Sequence, residues 1–152
     1  MEILPKLIEL LSDKAEVSSH AFHAVSCLVR SFEEGMKAFI SMGGLECLLG
    51  LVQSQDREKL IIKSMFLISS FNQDSPSVCE ELIKLNAIEK IVSTLQIKSE
   101  YNTRLEQTLS ALLSFIESPE AIKRCQKKDL NLKETLEQII LHCDGKEECQ
   151  VS

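Results

Sequence analysis

The sequence predicts an all-α fold, a right-handed α-α superhelix of three-helix repeats. Three observations predict it. Glycine (5) and proline (3) are scarce among 152 residues, too few for an all-β chain that needs a turn signal every ~8–12 residues. An apolar stripe spaced 0, 3, 4, 7, the mark of an amphipathic helix, recurs four times. A second motif recurs three times, and both series share a period of about 43 residues, the range in which stacked structural units repeat.

The elements follow in order. Leu4, Leu7, Ile8 and Leu11 form the first stripe, on a helix of medium length. A longer helix carries AFHAVSCL (21–28), and a short one is expected over 35–42. Gly43 and Gly44 then supply flexible or left-handed residues for a tight turn into the second stripe, Leu45, Leu48, Leu49 and Val52. The second long helix carries SMFLISSF (64–71). Ser75 and Pro76 open a short helix over 77–85, where serine caps and proline suits the first turn. Asn86 and Ala87 stand where Gly43 and Gly44 stood, before the third stripe, Ile88, Ile91, Val92 and Leu95. The third long helix carries TLSALLSF (108–115), and Ser118 and Pro119 open a short helix over 119–127. The fourth stripe is Leu132, Thr135, Leu136 and Ile139, with one polar slip at Thr135.

Each full unit is therefore short, medium and long helix, an armadillo-like repeat. One such unit cannot bury its apolar faces alone, so neighbours stack. The expected domain is 1–143, about three repeats with the first and last incomplete, followed by a polar tail, 144–152 (DGKEECQVS).

Composition narrows the function. Net charge is −6 and no basic run occurs, which argues against nucleic acid as a partner. Apolar runs are far shorter than the ~20 residues that span a bilayer, so no membrane partner is expected. The start, MEILPKLIELL, lacks the basic segment and unbroken apolar core of a signal peptide. A cytoplasmic protein is the default expectation. The alternative is the endoplasmic reticulum lumen, should an N-terminal signal be missing. Six cysteines (27, 47, 79, 125, 143 and 149) form no C-x-x-C pair, and free, buried thiols are expected.

His23 and Cys27 stand four residues apart, and His20 shares their helix side. A metal site needs at least three converging ligands, and no fourth candidate stands nearby. In the repeat alignment His23 corresponds to Phe66 and Ser110, and Cys27 to Ser70 and Ser114. A helix face shared with the other repeats is therefore the preferred reading, and no metal or cofactor is expected. There is no G-x-S-x-G, Walker loop or H-E-x-x-H. A Cys–His dyad remains formally open, but no spacing supports it. The chain is read as a binding protein rather than an enzyme.

The long-helix motif resembles the armadillo consensus A-x-W-A-L-S-N-L. Importins and catenins use ladders of Trp and Asn there to grip extended peptides, and this chain carries neither ladder. A closer resemblance runs through AVSCLVRSFEEG (24–35), KSMFLISSF (63–71), TLSALLSFIESPEAIKRCQ (108–126) and DLNLKETLEQII (129–140). Over roughly 1–143 the pattern is similar to the armadillo nucleotide-exchange factors of the 70-kDa heat-shock chaperone, the Fes-one/heat-shock-protein-binding-protein family. The resemblance implies a co-chaperone that binds no nucleotide itself, wraps one lobe of the chaperone's ATPase domain and promotes ADP release. A general armadillo-repeat scaffold without exchange activity is the alternative. Relatives usually carry further N-terminal helices, so a shortened form or a fragment is expected. The resemblance also implies that the long helices line the concave face. The position just before the motif, a lysine or similar polar residue in the family, is His20, Lys63 and Gln107 here, with Arg104 one turn before Gln107. Lys63 matches best, and an unengaged, solvated position is the alternative for all four.

Overall fold

The computed structural model describes residues 3–11, 13–53, 57–95, 103–127 and 131–143, so the expected polar tail lies outside the described residues. Ten helices and no strand occur among them. They are α1 (Ile3–Leu10), α2 (Ala15–Ser31), α3 (Glu33–Ser41), α4 (Gly44–Val52), α5 (Glu58–Asp74), α6 (Pro76–Lys84), α7 (Ala87–Val92), α8 (Thr103–Leu113), α9 (Pro119–Cys125) and α10 (Leu132–Cys143). The order is α1 and the long α2, two units of two shorter helices and a long one, then α9 and α10. The expected short and medium lengths are not kept, since α3 and α4 both have nine residues and α7 has six against nine in α6. The fold is all-α and armadillo-like.

The stripes face inward. Leu45, Leu48, Leu49 and Val52 are all at most 1% exposed, as are Ile88 and Ile91 in the next repeat. Leu95 lies past the end of α7 and is only half-buried. The polar slip at Thr135 is half-buried, and its hydroxyl donates to the Asn131 carbonyl one turn back at 2.8 Å. The first position of the long-helix motif is small and buried in every copy: Ala21, Ser64 and Thr108. The fourth apolar position, Leu28, Phe71 and Phe115, carries the bulk of the motif. The third long helix is shorter than the others, and Phe115 is buried from the turn that follows it.

The turns obey the punctuation with two corrections. Gly43 (φ 76°) and Asn86 (φ 62°) take the left-handed conformation at matched places. In the third unit the left-handed residue is Asn131 (φ 50°), one place later relative to the stripe. Ser118 caps α9 through its hydroxyl, which accepts from Ala121 N–H at 3.4 Å. Ser75 does not cap α6, because its hydroxyl pairs with that of Ser77 at 3.0 Å. Gly44 is needed for space: a Cβ there would collide with the Phe39 ring. That close approach lets α3 and α4 meet at 76°.

Two arginines tie neighbouring repeats together. Arg57 donates to the Leu11 carbonyl (3.0 Å) and Ser18 hydroxyl (3.2 Å). Arg124 donates to the Ile83 carbonyl (2.7 Å) and Asn86 Oδ1 (3.0 Å), with Glu89 at 3.5 Å. Helix α10 attaches through Ile139, which packs with Leu105. Among the described residues no single helix is long and apolar enough to cross a membrane.

Candidate functional site

The repeat offset places equivalent residues of α2, α5 and α8 side by side. Apolar motif positions turn inward, and the intervening ones form an exposed face. His23, Phe66 and Ser110 are exposed in all three copies. Asn72 of α5 donates to Ser114, in the turn just after α8, at 2.8 Å, and Lys63 of α5 donates to Ser19 of α2 at 3.1 Å. These bonds pin the long helices across the face.

Between α2 and α5 lies a groove of about 310 Å³. Its apolar lining is Phe22, Ile62, Phe66 and Leu67, and its polar lining includes His23, Lys63 and Gln107. No lining residue is a carboxylate, although the chain's net charge is −6. The Arg30 guanidinium sits 5.9 Å from the Phe66 ring centroid, a cation–π distance. The groove is thus locally cationic in an acidic protein.

Of the four predicted site residues, Lys63 and Gln107 line this groove. His20 is exposed one turn before His23 and lies outside the lining. Arg104 is half-buried one turn before Gln107 and also lies outside it. Phe66 and Arg30 were not anticipated. The available signal was an aromatic residue at a motif position that is polar in both other copies.

The structure brings His23 and Cys27 into contact. Cys27 Sγ and His23 Nε2 are 3.9 Å apart on the exposed face. Among the described residues no group of three or more His, Cys, Asp and Glu could hold a metal ion. Cys27, Cys47, Cys79 and Cys125 are free thiols. Burial pushes the Cys47, Cys79 and Cys125 thiols up, aided by Glu46, by Glu80 with Glu117, and by Glu89 respectively. A raised value means less thiolate at neutral pH and slower alkylation. Of these four, exposed Cys27 should therefore be alkylated several times faster at pH 7.5. Peptide-resolved mass spectrometry reads this, and equal rates at Cys27 and Cys79 would contradict the packing.

A family model described as the SIL1/FES1/HPBP1 C-terminal domain matches residues 1–84. The chain is 31% identical over 136 residues to Hsp70-binding protein 1 of Homo sapiens, covering 88% of this chain and 37% of that protein. It is 28% identical over 123 residues to the Hsp70 nucleotide exchange factor FES1 of Saccharomyces cerevisiae, covering 76% and 42%. The chain thus spans well under half the length of these curated relatives. Among solved structures it is similar to the crystal structure of an engineered protein, with TM-score 0.73 and 21% identity, over 99% of this chain and 59% of that one. A second engineered protein gives TM-score 0.61 at 18% identity, over 98% and 67%. These two likenesses concern the fold alone.

Proposed function

Because the chain belongs to the SIL1/FES1/HPBP1 C-terminal domain family, we propose that it binds the ATPase domain of a 70-kDa heat-shock chaperone and promotes ADP release. The observation that carries this reading is the match to proteins named for Hsp70 binding and nucleotide exchange across most of this chain. The geometry supports it through one continuous face on three parallel long helices. Helices α2 and α5 have 17 residues each, about 25 Å at ~1.5 Å per residue. Side by side with the 11-residue α8, at ~8–10 Å spacing, they offer a footprint on the order of 600 Å². That approaches the ~800 Å² per partner of a standard protein interface.

Exchange needs no catalytic group in this protein. The factor must bind the open, nucleotide-poor state of the chaperone better than the closed state. A hundredfold faster release corresponds to about 2.7 kcal/mol of barrier lowering. Differential protein contacts are large enough to supply it. Lys63, Gln107, His20 and Arg104 are the contact residues of this reading, with Lys63 at its centre. We assign the protein to the cytoplasm; the free thiols at Cys27, Cys47, Cys79 and Cys125 support a reducing compartment.

Release of labelled ADP from the purified ATPase domain, with and without this protein, tests the reading. Acceleration of tenfold or more is expected. Lys63 is exposed, so Lys63→Glu should leave the fold intact while weakening binding about tenfold, ~1.4 kcal/mol. Binding without acceleration would favour a scaffold role. No binding at tens of micromolar would end the proposal.

A further inference from the structure

We propose that the groove between α2 and α5 is a docking pocket for a single apolar side chain carried next to a carboxylate on the partner, with Phe66 as its anchor. The inference rests on the binding reading above and goes further, because it specifies what the partner must present.

The apolar half of the argument is Phe66. It is 53% exposed at the middle of a helix, at a position that is histidine or serine in the other repeats. Folding therefore does not need an aromatic ring there. Together with Phe22, Ile62 and Leu67 it forms an apolar pocket open to solvent, large enough for one side chain. Exposed aromatic residues in such pockets are the common anchors of protein interfaces.

The polar half is charge. Lys63 lines the pocket, and Arg30 lies over the Phe66 ring. The Lys63 ammonium is held toward α2 by its 3.1 Å bond to Ser19, which uses one of its three donors. The remaining donors are free for an incoming carboxylate. No lining carboxylate offsets these cations. An apolar side chain next to Asp or Glu satisfies both halves at once. A basic segment would bring its charge against Lys63 and Arg30.

The test uses the full chain and the chaperone ATPase domain. Phe66→Ala should weaken binding tenfold or more with an unchanged melting temperature, and Phe66→Leu should stay within about threefold. A photoreactive benzoyl-phenylalanine placed at position 66 should cross-link to an apolar residue with Asp or Glu within two positions. Wild-type binding with an unaffected Phe66→Ala variant, or a cross-link in a basic segment, would overturn this inference and leave the proposed function standing. Loss of binding by the wild type itself would remove both. If Phe66→Ala instead turns a dimer of this chain into a monomer by sedimentation, the pocket is a self-interface and the proposal fails.

Discussion

Phe71→Ala is expected to destabilise the protein by about 3–5 kcal/mol. Phe71 is 2% exposed and closes the long-helix motif of the central repeat. Its ring lies 6.5 Å from that of Phe39 at an interplanar angle of 59°, a tilted arrangement that favours aromatic pairs. Phe39 comes from α3 and Phe71 from α5, so the pair joins the short and long helices of one repeat. Helix α5 also packs against α2, α4, α6 and α8. A cavity there would loosen neighbours on both sides. Domains of this size have only about 5–15 kcal/mol in total, so the variant should approach the limit of folding. Urea unfolding reads the change as a lower midpoint at unchanged slope. Phe71→Leu, which keeps most of the volume, should cost under about 1.5 kcal/mol. A loss below 1 kcal/mol for the alanine variant would mean that the Phe39–Phe71 pair does not organise the core.

Both series of repeats were legible because periodicity is local information. The stripe at Leu45, Leu48, Leu49 and Val52 specifies a helix and its buried side without knowledge of the neighbour. The matched turns at Gly43 and Asn86 were legible for a similar reason, since few residues favour a left-handed backbone. Cap chemistry was less so. Ser75 and Ser118 both precede proline, yet only Ser118 caps, because a second serine at position 77 competes for the Ser75 hydroxyl.

What stayed hidden depends on how the repeats stack. The side-chain bonds that cross repeats join residues 38 to 46 apart, close to the repeat period. The period announces which helices are neighbours. It does not say which side chains reach across. Lys63 could be placed on the exposed face, but its bond to Ser19 could not, and neither could the Arg30–Phe66 contact. Space at the turns is similar. Gly44 sits where the next repeat has the fully buried Ala87, and the reason is the Phe39 ring. At the position of Phe39 the next repeat has the smaller Leu82, and a Cβ is accommodated.

Arg124→Ala should cost about 2–3 kcal/mol and release the last repeat first. The Arg124 side chain is 19% exposed, and its guanidinium reaches back to the turn between α6 and α7. Truncation leaves the Ile83 carbonyl without its 2.7 Å donor and the Glu89 carboxylate, 29% exposed, without its cation. Much of the expected cost is the Glu89 carboxylate left without its cation rather than the ion pair itself, since the Ile83 carbonyl keeps the Asn86 N–H at 3.1 Å. The double variant Arg124→Ala with Glu89→Ala should therefore recover about 1 kcal/mol relative to the single variant. Arg124→Lys should rescue only part, because an ammonium cannot present the guanidinium's planar fork to the carbonyl and Asn86 together. In a stacked array each repeat leans on its neighbours, so the damage should be directional. Amide exchange should quicken in α9 and α10 well before α2 and α5. Uniform quickening along the chain would mean that the arginine supports global stability and is not a clamp between the second and third units. Directional quickening with unchanged exchange at α5 would also leave the Phe66 groove intact, so the variant should bind the partner as the wild type does.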